Sequence, residues 1–580
     1  MTRKRKNVEE QAEATEEQPT ERTFPKKEKQ RRVPESWNQS GDDHYEEKNE
    51  KNHFARPSEE EKVQYPTELV TYLKNFVDLI DTEGKQDEEL YNKVVEECSG
   101  SEEVLLRFFD SCKVVEQIFG SSVYAASLFL KSVFRLKHKK IVDLLFADTA
   151  ARTIENLLIV ISPISNVEHL QILVTLSDLL CDNWKDAIVN KPTSFLIRCL
   201  VKMCCGMIKT GDTVSHKTKK GPVDPGFPNT PVGSQLRIIF NKMADLVTDT
   251  PLSADQAENQ YCSLLVHDIL ECDAVVQAGK CTQFVKKRME MPSSQVALSW
   301  CGKGSSRIWE QAVAGCSEAR RKTLWENVIQ PSLEKLVMDR MANHALQSFI
   351  KSVHSEELAG TVCEVLLPLI PKMFHNQRIG VVTAMLKCSK CDLKAQEKIL
   401  KELRTQFDSN AADKKADFFL KVLSMNKWNG GKFDVNQSDL QGSLMLQCLF
   451  ELQKVKSASV GVLALDKETI VQMAFNKTCT FVIQAVLKSE SVEHDVKNHI
   501  ISAFEDKWEK LIENPIGSRV FDCVWDLPQT TVDKKQRIMK MMSSVRSTSR
   551  NFKFAMLRCD QMLFRKDRKA WVQKMKNWNK

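Results

Sequence analysis

A polar triplet recurs along this 580-residue chain at a nearly constant interval, and that interval most constrains the fold. Each triplet has a small or polar residue at position i and two further residues at i+1 and i+4, which share one face of a helix. The clearest pair starts at Ser306 and Asn343, 37 residues apart. Such periods are typical of helical solenoids, in which each unit buries its apolar face only against its neighbours.

The same pattern places eleven such helices along the chain. Their first triplet residues, used here as anchors, are Cys112, Ala151, Ser194, Ser263, Ser306, Asn343, Arg378, Ser443, Thr480, Ser518 and Asn551. Eight of the ten intervals lie between 33 and 43 residues, and the two longer intervals each contain an insertion. We therefore predict an all-α solenoid of about eleven repeats.

The segments outside the repeats differ in composition. Residues 1–64 are charged and almost free of aliphatic side chains, so we expect a disordered tail. Its basic runs indicate nuclear import or non-specific RNA contact, and the alternative is a plain solvated tail. The other predicted segments are N-terminal repeats at 65–209, a loop insertion at 210–233, central repeats at 234–407, an insertion with an embedded helix at 408–439, C-terminal repeats at 440–550 and a basic capping helix at 551–580.

Positive charge is concentrated at the C-terminal end. The net charge is +7, yet residues 534–580 hold 15 Lys and Arg against 2 Asp. This asymmetry predicts a polyanionic partner near that end. The residues that we expect to bind RNA phosphates are Arg565, Lys566, Arg568 and Lys569, with Arg198 farther up the chain.

Several other classes of protein find no support in the sequence. The 18 cysteines lie in apolar helical segments, which predicts free thiols in a reducing compartment. The pair Cys388 and Cys391 lacks a second pair at zinc spacing, so we expect no metal and no cofactor. A phosphate-binding loop and an H-E-x-x-H motif are absent, so we predict no enzyme. The sequence contains no apolar run of 18 or more residues, so we predict no membrane span.

The triplets have the geometry to bind flat bases. The i and i+4 side chains grip one edge of a base and the i+1 side chain stacks on its face, so that one helix reads one base. Ser306 and Glu310 suit guanine, with Arg307 stacking. The other predicted base contacts are Asn343, His344 and Gln347, which suit uracil, then Thr480, Phe481 and Gln484, then Ser518, Arg519 and Asp522, and finally Arg152 and Glu155. The alternative for any one triplet is a polar, solvated helix face.

Other repeats depart from this pattern. Leu264 and Leu444 put aliphatic side chains where a ring should stack, and the triplet at Arg378 cannot read a base edge. A chain with a few competent helices should prefer single-stranded or structured RNA and depend on backbone charge.

Four segments resemble Pumilio-type (Puf) repeats. They are S-S-R-I-W-E-Q-A-V from Ser305, N-H-A-L-Q-S-F-I from Asn343, T-C-T-F-V-I-Q from Thr478 and G-S-R-V-F-D-C-V-W from Gly517. Their order, the long insertions and the basic Trp-bearing end are similar to the Pumilio-related nucleolar protein 9 family. The resemblance implies a curved, U- or C-shaped solenoid. It also implies a location in the nucleus, within the nucleolus, and a protein that is not an enzyme.

The resemblance also implies a function. The protein would bind precursor 18S ribosomal RNA in small ribosomal subunit biogenesis and restrain its premature cleavage. Partners would be that RNA and proteins of the pre-ribosomal particle, and we expect a monomer. Two alternatives stay open at this point: an α-solenoid scaffold for protein–protein contacts, and a cytoplasmic Puf-type repressor of messenger RNA.

Overall fold

A computed structural model of the protein describes residues 64–83, 88–162, 167–208 and 230–578. These residues form helices and connecting turns, with no strand among them. The predicted N-terminal tail lies outside the described residues, apart from residue 64. Most of the predicted insertion at 210–233 also lies outside them, although a helix begins at Pro231, inside that range.

The helices follow one another with short connections. Those before residue 209 are α1 Thr67–Glu83, α2 Glu88–Cys98, α3 Glu102–Arg107, α4 Phe109–Phe119, α5 Val123–Val133, α6 His138–Phe146, α7 Asp148–Val160, α8 Val167–Asp182, α9 Trp184–Ala187 and α10 Lys191–Cys204. Those of the central part are α11 Pro231–Asp249, α12 Ala254–Glu258, α13 Gln260–Val276, α14 Lys280–Arg288, α15 Ser293–Ser299, α16 Lys303–Gly315, α17 Glu318–Leu324, α18 Leu333–Met338, α19 Ala342–Lys351, α20 Glu356–Leu366, α21 Ile370–His375, α22 Ile379–Cys388 and α23 Leu393–Gln406.

The C-terminal part continues in the same way. Its helices are α24 Phe418–Ser424, α25 Leu440–Leu449, α26 Lys456–Leu463, α27 Lys467–Phe475, α28 Cys479–Lys488, α29 His494–Ala503, α30 Trp508–Glu513, α31 Gly517–Asp526, α32 Val532–Ser543, α33 Arg550–Arg558, α34 Gln561–Lys566 and α35 Arg568–Asn577. Shorter turns are a π-helical turn at Trp325–Ile329 and 3₁₀ turns at Gln330–Ser332, Leu367–Leu369, Ser389–Cys391, Ala412–Lys414 and Val435–Gln437.

One helix of each repeat packs against its counterpart in the next repeat. We call this set the anchor row; it consists of α1, α4, α7, α10, α13, α16, α19, α22, α25, α28, α31 and α33. Other helices, such as α5, α8, α11 and α14, pack in sequence beside it. Ten of the eleven predicted anchors lie within the helices of this row after α1, and Arg378 directly precedes α22. The predicted all-α solenoid is therefore confirmed.

Recurring side-chain caps set where the anchor-row helices begin. Asn259, Asp339, Asn476 and Asn514 each accept hydrogen bonds from the backbone N–H groups two and three residues later, at 2.8–3.0 Å. An Asn or Asp there occupies donors that would otherwise lack a partner, which stabilises a helix by about 1 kcal/mol. Each cap lies four residues before a predicted anchor, so cap and triplet keep one register in these four repeats.

Large aromatic side chains fill the interior along the array. The rings of Trp300 and Trp309 lie 5.3 Å apart, and Trp309 Nε1 donates to Ser299 Oγ at 2.8 Å. Trp325 stacks on Phe349 with ring centroids 6.0 Å apart. Burying side chains of this size contributes roughly 1.5–3 kcal/mol each. Because neighbouring repeats share these contacts, the core is continuous from one repeat to the next.

Two predicted segments differ from expectation. Within 408–439, α24 packs against α25 and α26 and buries Phe418 and Phe419, so this helix belongs to the core. Residues 551–580 do not form one capping helix, because α33, α34 and α35 divide this segment. The chain turns at Asp560, which has a left-handed backbone (φ 54°) and caps α34.

One helical run of the described chain, Glu356–His375, is as long and as apolar as a membrane-spanning helix. It contains α20, a 3₁₀ turn and α21, and it packs against α22 and α23. The core helices of folded domains can also have this length and composition. Its packing indicates a core helix of the solenoid.

Candidate nucleic-acid interface

The triplets on four anchor-row helices share one pattern of exposure. The second residue of each is exposed and the third is half-buried, while the first is buried in α16, α19 and α28. Exposed rings and guanidinium groups therefore lie beside polar side chains one helical turn away, as a base-stacking surface requires. We call the second and third residues together the triplet stripe: Arg307 and Glu310 on α16, His344 and Gln347 on α19, Phe481 and Gln484 on α28, and Arg519 and Asp522 on α31.

The first triplet residue can join one repeat to the next. Ser306 is only 2% exposed, and its Oγ donates to the Met341 carbonyl at 2.9 Å. Ser443 Oγ donates to the Thr478 carbonyl at the same distance. Both carbonyls belong to the residue just before the next anchor-row helix. The structure therefore corrects the prediction for Ser306: its hydroxyl is buried and bonded within the protein, which leaves Glu310 and Arg307 at the surface.

On α19 the two amides are joined one turn apart, as the spacing predicts. Gln347 Nε2 donates to Asn343 Oδ1 at 2.9 Å. Asn343 Nδ2 in turn donates to the carbonyls of Asp339 and Arg340, both at 2.8 Å. The structure therefore corrects the prediction that Asn343 contacts a base, because this side chain is buried and positions Gln347. The half-buried Gln347 presents its amide beside the exposed ring of His344.

Helix α28 repeats this arrangement with a larger ring. Gln484 Nε2 donates to Thr480 Oγ1 at 3.3 Å, and Thr480 is buried. The structure therefore corrects the prediction that Thr480 contacts a base. Phe481 is 54% exposed, which is unusual for a phenylalanine in a packed helix. A flat apolar ring held at the surface beside a polar amide can stack on a base.

On α31 the acid of the triplet is engaged by cations. Asp522 lies 3.5 Å from Arg558 Nη1 and 4.0 Å from Arg519 Nη1. Burial raises the pKa of Asp522, while Arg558 and Arg519 oppose that rise. Ser518 Oγ donates to the Pro515 carbonyl at 3.1 Å. Arg519 is exposed, so this triplet offers a stacking guanidinium but an acid that is already paired.

The predicted triplet on α7 is only partly at the surface. Arg152 is exposed, whereas Glu155 is buried. Burial raises the pKa of Glu155, with Arg198 and Arg152 opposing the shift. The structure therefore corrects the prediction that Glu155 contacts a base, because its carboxyl group lies inside the protein.

Arg198 is also corrected. It is 8% exposed, and its Nε donates to Asp268 Oδ2 at 2.5 Å. Lys202 Nζ lies 2.8 Å from the same oxygen. Burial would raise the pKa of Asp268, but a hydrogen bond from His267 and the two cations hold it well below its ordinary value. The guanidinium of Arg198 thus joins α10 to α13, and the prediction that it binds phosphate loses its physical basis.

His267, Asp268 and Glu271 lie close enough together to share a metal ion. Asp268 is already paired with Arg198 and Lys202. These two cations repel a third, so the group fits a buried charge network better than a metal site.

The four C-terminal cations lie outside the triplet stripe. Arg565 and Lys566 on α34 and Arg568 and Lys569 on α35 are exposed, and both helices pack against α32. Arg568 Nη2 donates to Gln536 Oε1 at 2.6 Å. Their contact with phosphate stays a prediction, on helices outside the anchor row.

The triplet of α22 begins one residue later than predicted. Arg378 precedes the helix, and its Nε donates to the Met338 carbonyl at 3.1 Å. Gly380 occupies the position of the stacking residue and lies directly against Gln347; a Cβ there would come within 2.6 Å of the Gln347 amide. The missing side chain at residue 380 therefore leaves space for that amide.

Sequence reasoning missed a set of lysines on the same helices. Lys351, Lys387 and Lys488 are exposed, and each lies seven residues after the stacking position of its helix. Among the described residues, Lys351 and Lys387 have no ion-pair partner. Partial burial of the Lys351 amine lowers its pKa, and the positive charge of Lys387 lowers it further. The repeated seven-residue offset was the available signal.

Comparisons with known proteins agree with this architecture. Residues 280–548 match a family described as the NOP9-like PUF repeat domain. Among similar proteins, Nucleolar protein 9 of Arthroderma gypseum is 23% identical over 252 residues, covering 41% of this chain and 35% of that protein. Nucleolar protein 9 of Homo sapiens is 20% identical over 394 residues, covering 61% of each. The matches thus span between about a third and three fifths of these relatives' own length.

The fold is also similar to solved structures. A structure of APUM23 with its insert region deleted, named together with GGAAUUGACGG, has a TM-score of 0.68 and 16% identity. It covers 87% of this chain and 98% of that one. A second structure, of APUM23 with GGAUUUGACGG, has a TM-score of 0.67 and 16% identity, and covers 88% and 99%.

Proposed function

Because residues 280–548 match the NOP9-like PUF repeat domain, we propose that the protein binds single-stranded or partly structured RNA along the triplet stripe. One observation carries this proposal: an exposed ring or guanidinium recurs in one register on α16, α19, α28 and α31, with a polar side chain one turn away. Binding, without a catalytic step, is the proposed mode of action.

Stacking supplies most of the affinity for bases in this proposal. Arg307, His344, Phe481 and Arg519 are exposed planes, and each stacked base contributes roughly 1–3 kcal/mol. Arg307 and His344 lie on neighbouring helices of the row, as do Phe481 and Arg519, while α22 and α25 separate the two pairs. An unpaired strand can therefore place two adjacent bases on each pair.

The third triplet residue supplies selectivity. The carboxylate of Glu310 accepts hydrogen bonds from the ring N–H and amino group of guanine. The amide of Gln347 has both a donor and an acceptor, which match the carbonyl and ring N–H of uracil. The hydrogen bond from Gln347 to Asn343 fixes the amide before RNA arrives, so less ordering is required on binding.

Phosphate contacts come from the lysines on the same helices. Lys351 and Lys387 belong to adjacent anchor-row helices, and within the described ranges neither has a carboxylate partner. Two unpaired cations held near each other attract a polyanion that runs across the helices. The cations on α34 and α35 are a second, separate phosphate-binding surface in this proposal.

The RNA is proposed to be precursor 18S ribosomal RNA in the nucleolus, bound during small ribosomal subunit biogenesis and held from premature cleavage. Relatives named Nucleolar protein 9 support the location. The APUM23 structure named with GGAAUUGACGG supports an RNA ligand, because that sequence contains uracil. Proteins of the pre-ribosomal particle are the proposed further partners.

A pair of exposed residues tests the function without disturbing the core. We expect His344→Ala with Gln347→Ala to weaken binding of a uridine-containing RNA about 10-fold, measured by fluorescence anisotropy. For the same RNA with an abasic residue in place of the bound uridine, the double substitution should lower the affinity less, because the base contact is already absent. The control is Glu364→Ala with Lys398→Ala, a surface ion pair on α20 and α23. Equal affinities of the two variants would refute the proposal.

A further inference from the structure

An apolar groove lies at the C-terminal end of the array, and no residue of the triplet stripe lines it. Its volume is about 410 Å³, and α33, α34 and the segment before α33 line it. Leu557 and Met562 project from its wall with exposed fractions of 76% and 77%. Exposed apolar side chains that are grouped along one groove in this way mark a binding surface.

The rim of this groove is basic. Arg546, Lys553 and Arg565 are exposed at its edge. The one acid of the lining, Asp560, is paired with Lys574 at 2.7 Å. The groove therefore combines an apolar floor with uncompensated positive charge.

The position of α33 in the anchor row differs from that of the helices before it. Each helix of the row from α4 to α31 packs between two neighbours of that row. Helix α33 packs against α30, α31 and α34, and no later anchor-row helix follows it among the described residues. A helix from another molecule can therefore occupy the place that the next repeat would take.

We propose that this groove binds an amphipathic helical segment of a partner protein, with leucine or phenylalanine on one face and glutamate or aspartate beside them. The apolar face would cover Leu557 and Met562, and the acids would pair with Arg546, Lys553 and Arg565. This site contains no residue of the triplet stripe, and it shares Arg565 with the phosphate-binding surface proposed on α34 and α35.

Two other occupants fit less well. Nucleic-acid bases stack on rings and guanidinium planes, whereas Leu557 and Met562 are aliphatic and flexible. A second copy of this chain would bring together two segments with 15 cations against 2 acids each, which repel one another. Interfaces between proteins are enriched in Phe, Met and Arg, which this surface supplies.

The probe is a fluorescein-labelled 16-residue peptide with Leu and Phe at positions i, i+3, i+4 and i+7 and Glu elsewhere. Its control peptide has the same composition in scrambled order, so charge is equal and the apolar face is lost. Anisotropy with the full chain should show at least tenfold tighter binding of the amphipathic peptide, and weaker binding as salt is raised.

The variant Leu557→Ser with Met562→Ser should remove that preference and leave RNA affinity unchanged, because it alters no charge. Its matched control is Val167→Ser with Leu440→Ser, which also removes two exposed apolar side chains. An unchanged thermal transition shows that both variants fold. Equal binding of the two peptides, or no effect of the groove variant, overturns the proposal.

Two further results would assign the groove to other occupants and also overturn the proposal. One is loss of polyuridine binding in the groove variant alone, which identifies a nucleic-acid surface. The other is a wild-type dimer in sedimentation that the same variant dissociates.

Discussion

At the scale of single residues, the three members of a triplet have different tasks. The spacing i, i+1 and i+4 predicts which side chains share a helix face. It does not predict which of them the next helix covers, and Ser306 is buried because the chain before α19 runs over it. Gly380 illustrates the same limit, since only the packed neighbour shows that its missing side chain accommodates Gln347.

Gly380→Ala tests how much the orientation of Gln347 matters. The added Cβ would meet the flexible end of Gln347, which can move, so we expect an unchanged melting temperature. The displaced amide should bind a uridine-containing RNA roughly 3- to 10-fold more weakly, by the loss of about one hydrogen bond. Anisotropy and differential scanning calorimetry on the same preparations provide both readouts. Full affinity in this variant would mean that Gln347 does not contact the base.

At the scale of elements, repeats differ in how their polar groups are satisfied. Helices α10 and α13 are joined by ion pairs, in which Arg198 and Lys202 both bind the Asp268 carboxylate. Helices α19 and α28 instead hold their amides at the surface. The sequence shows polar residues at the same offsets in both cases. Whether such a residue is buried in a charge network or held at the surface depends on its partner in the neighbouring repeat. For Arg198 that partner is Asp268, which lies outside the triplet pattern.

Asp268→Asn tests the buried network. Removing the carboxylate leaves two cations without a partner, so we expect a loss of about 3–5 kcal/mol in the free energy of unfolding. The pKa of Asp268 is lower in the folded than in the unfolded chain, so its contribution is present above the ordinary carboxyl range and is lost as pH falls below it. Urea denaturation between about pH 7 and pH 3 measures this.

The wild type should lose stability over that acid range more steeply than the variant does. Asp178→Asn is the matched control, because Asp178 pairs with Lys242 at the surface and should contribute little. Similar losses in the two variants would show that the ion pairs of Asp268 add no stability.

At the scale of the whole molecule, the repeat period predicted the solenoid fold. It predicted the order of the anchor-row helices from α4 to α33, because each repeat must present one helix to the next. It predicted a helix within 408–439, but it did not predict that this helix, α24, packs into the core. It also did not predict that the basic end divides into three helices, since these depend on contacts with α26 and α32. The offset of Lys351 and Lys387 from the stacking position can be seen in the sequence, whereas the absence of a carboxylate partner within the described residues depends on neighbours that only the structure shows.

The lysines of adjacent anchor-row helices should contribute to binding of any RNA sequence. We expect Lys351→Gln with Lys387→Gln to lower affinity and to reduce the slope of log affinity against log salt by about 1.4, for two phosphate contacts on a single strand. The matched control is Lys372→Gln with Lys398→Gln, which removes the same charge from lysines paired with Glu334 and Glu364. An equal change in slope for both pairs would mean a diffuse charge effect and no local contact.

Photocrosslinking tests the central claim most directly. Full-length protein is bound to an RNA containing 4-thiouridine, irradiated and digested, and the modified residues are identified by mass spectrometry. The account predicts crosslinks on the anchor-row helices, at or beside His344 on α19 and Phe481 on α28. Crosslinks confined to helices outside the anchor row, with none on α16, α19, α28 or α31, would contradict it.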